Sequence, residues 1–158
     1  MKKFIIPAAI WLLAVASAGY INRFIIKHKK MFTLEQIKQA HGKVQTGADF
    51  PAYIAAIKAL GVQRYVTYVA DGRTDYSGSG HTLSSPARYD ALTIADTADI
   101  PQFKAGLQKH QQGGSDFPTF VRQCAELGIE KWIVEIGQMT CTYYDKAGNA
   151  VLTEEIPQ

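Results

Sequence analysis

The chain has 158 residues, 47% hydrophobic and 20% charged, the composition of one ordinary globular domain. Its formal charge of +3 misleads, because the first thirty residues carry six basic side chains and no acid; the other 11 Lys and Arg (17 less those six) face 14 Asp and Glu, a net of −3. A mildly acidic folded part argues against nucleic-acid binding in spite of a pI of 8.8. Two cysteines, Cys124 and Cys141, without clustered histidines, exclude a four-ligand metal site of the usual kind.

In chain order, Lys2 and Lys3 precede an apolar run, and Ala16-Ser17-Ala18 offers the small residues a signal peptidase accepts, with cleavage before Gly19. A rival reading makes residues 1–30 a membrane anchor: residues 4–21 are marginal for a bilayer, and the span is feasible over residues 4–26 with Arg23 snorkelling to its surface. A third reading places the true start at Met31, directly before the first helix signal. The first two imply export or inner-membrane anchoring, the third a cytoplasmic protein.

Thr33 with Gln36 makes a capping box, and Leu34, Ile37, His41 and Val44 recur at helical spacing, so a first helix is expected over residues 34–44. Asp49-Phe50-Pro51 starts a second: Pro51 suits a first helical turn, where its missing N–H is no loss, and Tyr53, Ile54, Ile57 and Leu60 form the buried stripe. Gly61 stands where a left-handed cap belongs. Residues 62–70, dense in β-branched and aromatic side chains, predict a strand. Asp71-Gly72 predicts a two-residue hairpin turn, and residues 73–77 a return strand that runs into a polar loop, Gly78-Ser79-Gly80-His81. Residues 88–95 alternate as a third strand would.

The second half repeats this plan. Ile100, Phe103, Leu107 and His110 mark a third helix, residues 117–127 a fourth with Gly128 as its cap, and residues 129–136, 139–144 and 150–156 three strands. Residues 49–66 (DFPAYIAAIKALGVQRYV) align without a gap on residues 116–133 (DFPTFVRQCAELGIEKWI), with five positions identical and seven closely similar. Such self-similarity signals two copies of one supersecondary unit. The expected fold is α+β: two tandem helix-helix-three-strand repeats, residues 33–95 and 99–156, in a single domain over residues 31–158. Four helices would pack on one face of an antiparallel sheet with pseudo-two-fold symmetry.

The run MFTLEQIKQAH, the two DFP segments, YVTYVADGRTDYSG, SPARYDALTIAD and MTCTYYDKAGN resemble the YdfO/YbcV-like family over residues 31–157. The resemblance implies a small bacterial or prophage-borne protein, of a kind often labelled phage envelope protein, that starts at the equivalent of Met31. It brings no activity, cofactor or catalytic residue with it.

No catalytic, cofactor or metal residue is assigned. Polar residues concentrate at Asp71, Arg73, Asp75, Tyr76 and His81, and Asp71, Asp75, Tyr76 and His81 are the candidates for acid/base work if they converge. The plainer reading makes Asp71 turn chemistry, Arg73 and Asp75 neighbours on an exposed strand face, and His81 part of a Gly/Ser loop. His41 and His110 lack ligand partners at metal spacing, no G-x-S-x-G elbow or Walker loop occurs, and Cys124 falls on an apolar helical stripe. Tyr65, Tyr68, Trp132, Tyr143 and Tyr144 fall on strands, read as core packing and solvent-facing cross-strand pairs rather than a base-stacking platform. The expected function is therefore a non-enzymatic binding or interaction module, phage- or envelope-associated if the resemblance guides. The alternative is a small enzyme or ligand-binding protein using the segment from Asp71 to His81. The partner would be a protein or a small molecule, with the membrane touched only through residues 4–26.

Because every helix and strand signal follows Met31, a protein beginning there is expected to be soluble and to unfold in one cooperative transition, which circular dichroism in urea would check.

Overall fold

A computed structural model of the chain describes residues 31–44 and 49–158. The expectations for residues 1–30 lie outside these, and among the described residues no helix is long and apolar enough to cross a membrane. The elements are α1 (Leu34–His41), α2 (Phe50–Leu60), β1 (Arg64–Tyr68), β2 (Thr74–Gly78), β3 (His81–Ser84), α3 (Ile100–Gln111), α4 (Phe117–Glu126), β4 (Ile129–Glu135), β5 (Thr140–Asp145) and β6 (Ala150–Glu155). The strands form one sheet in the order β3-β2-β1-β4-β5-β6, and every neighbouring pair is antiparallel. The fold is α+β.

Local chemistry accounts for the helix starts. Thr33 and Gln36 close the capping box of α1, Asp99 accepts the Gln102 amide at 3.0 Å, and Asp116 accepts the Thr119 amide at 2.8 Å. Prolines occupy the first turns of α2, α3 and α4. Gly61 and Gly128 both take the left-handed conformation expected of them, with φ of 102° and 76°. α1 stops three residues short of Val44, because Gly42 caps it.

Register decides which side chains meet the helices. Tyr65 and Thr67 of β1 lie beside Tyr76 and Thr74 of β2 and beside Val134 and Trp132 of β4. The helices cover this face: Tyr53 of α2 meets Tyr65, Phe120 of α4 meets Trp132, and Phe103 of α3 meets Tyr143. Between them Ile54, Ile57, Cys124, Ile129 and Val134 are wholly buried. A β-bulge between Ile129 and Lys131 turns Ile129 into this core while Lys131 stays on the opposite face.

Three expectations for the first half need correction. Asp71-Gly72 is not a two-residue turn: β1 ends at Tyr68 and β2 begins at Thr74, because the Val69 amide bonds to Glu130 and its side chain is buried, drawing the strand end inward. The tight turn sits at Ser79-Gly80, where both residues have positive φ (59° and 76°), so the supposed polar loop is a hairpin and His81 opens β3. Residues 88–95 form no strand. β3 has already paired with the edge of β2, and Pro86 offers no N–H to extend it. The amides of Arg88, Leu92 and Ala95 instead reach the carbonyls of Asp71, Ala70 and Ala125.

The two hairpins share a register: Arg64↔Ser77, Tyr65↔Tyr76, Val66↔Asp75 and Thr67↔Thr74 become Lys131↔Tyr144, Trp132↔Tyr143, Ile133↔Thr142 and Val134↔Cys141 when 67 is added to each number. At the centre of the sheet, Val66 lies opposite Ile133.

A Cβ on Gly78 would run into the Gly61 carbonyl and the Gln63 amide, both backbone, whereas one on Gly137 would meet nothing. Gly78→Ala is therefore expected to destabilise by about 1–3 kcal/mol, Gly61→Ala by about 1 kcal/mol through its positive φ, and Gly137→Ala by less than either, read as shifts of the urea midpoint.

Candidate functional site

Alternation along β2 separates the candidates. Asp75 lies on the face away from the helices, where Arg73 donates to it at 2.9 and 3.1 Å and Ser84 at 2.7 Å. Tyr76, its neighbour, points the other way and is 3% exposed, between Tyr65 and the helices. His81 leans against Phe32, ring centroids 5.0 Å apart, and Asp71 accepts the amide of Arg73 at 2.9 Å as turn chemistry. Asp75, Arg73 and Ser84 are brought together; Tyr76 and His81 are held away from them by the sheet. A proton-transfer pair needs hydrogen-bond reach, which the backbone between these side chains denies. The Arg73–Asp75 bridge is partly exposed, and such a pair contributes about 0–1 kcal/mol.

The structure reveals instead a pair of aromatic rows beneath the helices. Tyr53, Tyr65 and Tyr76 stand with ring centroids 6.5 and 5.6 Å apart, and 67 residues on Phe120, Trp132 and Tyr143 stand 6.3 and 6.1 Å apart. A histidine ends each row, His41 edge-on to Tyr53 and His110 stacked 4.3 Å over Phe120. The Tyr53 and Tyr76 hydroxyls share a hydrogen bond, and burial first, then the neighbouring hydroxyl, pushes the Tyr53 phenol well up. Burial also pushes Tyr65 and Tyr143 up, and it lowers His41, helped by Arg88. These groups stay neutral near pH 7, as side chains packed beneath the helices away from water do. The sequence carried the signal, since the aromatic positions of residues 49–66 recur in residues 116–133; it lacked the return-strand partners, Tyr76 and Tyr143.

Among the described residues no cluster of His, Cys, Asp and Glu could hold a metal ion. Of two clefts, each about 500 Å³ and open to solvent, one lies at residues 97–101 before α3. The other lies between Lys58, Gly61, Gln63, Ser79 and Gly137. Neither gathers the candidates.

The face of the sheet away from the helices runs across all six strands. A row crosses all six strands, Ser84, Asp75, Val66, Ile133, Thr142 and Thr153. On one side of it Arg64 bonds Glu135 at 2.6 Å across the central strand pair; on the other Tyr68, Lys131 and Tyr144 line up. Arg73 stacks its guanidinium 4.3 Å from the centre of the Tyr68 ring. Among the described residues, the helices contribute no ring contact to this face.

Both cysteines are free and buried, and burial pushes the Cys124 thiol up and the Cys141 thiol up to about 12. Native protein at pH 8 is expected to react with no thiol reagent and urea-unfolded protein with both cysteines, read by absorbance at stoichiometry. The sign of the pH effect follows. The unfolded thiol ionises first, so the thiol contribution to stability is whole below the ordinary value of 9.0 and is lost as pH rises toward 12.

A comparison with curated proteins finds no match. The sequence profile of a family described as a protein of unknown function (DUF1398) matches residues 38–155, from within α1 to the end of β6, and the chain belongs to that family.

Proposed function

We propose that this protein is a non-enzymatic binding module whose contact surface is the sheet face opposite the helices, and that its partner is a protein. The observation that carries this reading is the one-sided layering: the aromatic rows and helices fill one face, while Tyr68, Tyr144, Arg73 and Arg64 remain partly exposed on the other. Tyrosine and arginine are residue types enriched at protein contacts. Charge supports a protein over a nucleic acid, because Arg64 and Arg73 are each matched by a carboxylate within hydrogen-bond reach.

The shared register of the hairpins supports a further reading, that the domain is a duplicated unit with a pseudo-two-fold axis between Val66 and Ile133. The resemblance noted above supports a phage- or envelope-associated role, and the pattern of residues 1–30 supports export or anchoring of the chain that bears them.

Affinity capture compares the wild-type chain with Tyr68→Ala/Tyr144→Ala on the sheet face and Lys104→Ala/Lys109→Ala on the outer face of α3. The same bound protein is expected to fall about tenfold with the first variant and to stay with the second. Loss with the helix variant alone, or no loss with either, overturns the reading.

A further inference from the structure

The sheet face away from the helices carries its charges in a balanced pattern. Asp75 lies in the middle row with Val66, Ile133 and Thr142; Arg64, Glu135 and Glu155 lie on one side of that row, and Arg73, Tyr68, Lys131 and Tyr144 on the other. Within these rows three cations, Arg64, Arg73 and Lys131, face three carboxylates, Asp75, Glu135 and Glu155. Arg64, Glu135, Arg73, Asp75 and Lys131 each keep a quarter or more of the side chain exposed. A face of mixed sign attracts no partner of a single sign. It fits a surface patterned as its complement.

Its own copy is such a surface. A second copy turned over about an axis that lies in the sheet plane, parallel to the strands and between β1 and β4, sets β1 against β4 of the second copy and β2 against its β5. The rows keep their order while the halves exchange, so Val66 comes against Ile133 of the second copy and Arg64 against Glu135 of the second copy. Tyr68 comes against Lys131 of the second copy. Arg73, whose guanidinium already lies 4.3 Å from the centre of the Tyr68 ring, comes against Tyr144 of the second copy, which places the cation between two rings. Asp75 comes against the hydroxyl of Thr142 of the second copy. No charge meets its own sign. The other axis in the sheet plane, running across the strands, would set Asp75 against Asp75 of the second copy and does not share this property.

Two sheets packed face to face turn by about 30° against each other, so the match is closest near the axis and loosens toward β3 and β6. Those outer strands present Thr82, Ser84, Thr153 and Glu155 on this face, side chains that tolerate the looser fit. Three rows over six strands cover about 600 Å² on each copy at the usual strand and pleat spacings, and about 1,200 Å² for the pair lies within the range of specific interfaces.

We propose that the sheet face binds a second copy of this chain, packed face to face about that two-fold axis, with Val66 against Ile133 and Arg64 against Glu135 of the second copy. The proposal rests on the reading of this face as a protein contact and names the occupant.

Capture of an untagged full chain by a coexpressed tagged one, in buffer or in detergent, tests it. Wild-type copies are expected to capture each other. Arg64→Glu sets carboxylate against carboxylate at both symmetry-related contacts, and Glu135→Arg sets guanidinium against guanidinium, so capture within either variant is expected to fall at least about tenfold. Tagged Arg64→Glu with untagged Glu135→Arg restores opposite charge at both contacts and should recover wild-type capture, as should Arg64→Glu/Glu135→Arg with itself. Such recovery separates a lost contact from a lost fold. Wild-type copies that do not capture each other, capture that survives both single reversals, or a mixed pair or double variant that does not recover overturns the proposal. The sheet-face reading outlives that failure if Tyr68→Ala/Tyr144→Ala still costs the chain a different bound protein, and falls with it if no bound protein depends on that face.

Discussion

Among the described residues, β1 and β4 are the strands through which the two halves of the chain share a sheet, since β2 and β3 hang on the one and β5 and β6 on the other. Their antiparallel pairing puts Val66 opposite Ile133, Tyr65 opposite Val134 and Arg64 opposite Glu135. Split there, each half would be a three-stranded sheet with a bare edge and one helix pair, too little to bury a core of its own. Joined, they enclose one continuous cluster of buried residues from Phe32 to Ile156. Each aromatic row is built within one half, but the rows lie side by side only because Tyr65 neighbours Val134 and Thr67 neighbours Trp132.

The same pairing sorts chemistry by face. Side chains that cannot tolerate water go toward the helices, with their few polar atoms matched there: Thr67 and Thr74 bond each other at 3.1 Å, and among the described residues no buried side-chain nitrogen or oxygen lacks a partner. Ionised side chains go to the other face, where Arg64, Glu135, Arg73 and Asp75 remain a quarter or more exposed. Catalysis in a small domain needs titratable groups held together out of water. Among the described residues this fold does the reverse, burying neutral phenols and thiols and leaving the charged side chains of the sheet in solvent.

The turns at the outer hairpins differ. Gly78 sits against the backbone of Gly61 with no room for a side chain, so the β2–β3 turn is pinned close to the end of α2. The corresponding turn after β5 is longer and carries Lys146, which grips the strap of residues 88–99. The halves diverge in the length and charge of these connections, while the β1–β2 and β4–β5 hairpins keep one register.

Sequence alone determined the elements whose signals are local: the capping box at Thr33, the prolines of the first helical turns, the left-handed glycines 61 and 128, and strands rich in β-branched and aromatic residues. The match of residues 49–66 to residues 116–133 carried the α+β class and the order of elements. It could not carry the segments whose conformation depends on distant partners. Residues 88–95 alternate like a strand, but β3 had already taken the edge they would need, so their amides turned to Asp71, Ala70 and Ala125. Asp75, Tyr76 and His81 look like a cluster in the chain because six positions separate the first from the last. Only the tertiary structure decided that Asp75 belongs to one face and the other two residues to the opposite one, because the strand pleat sends neighbours apart and the helices then cover a single side.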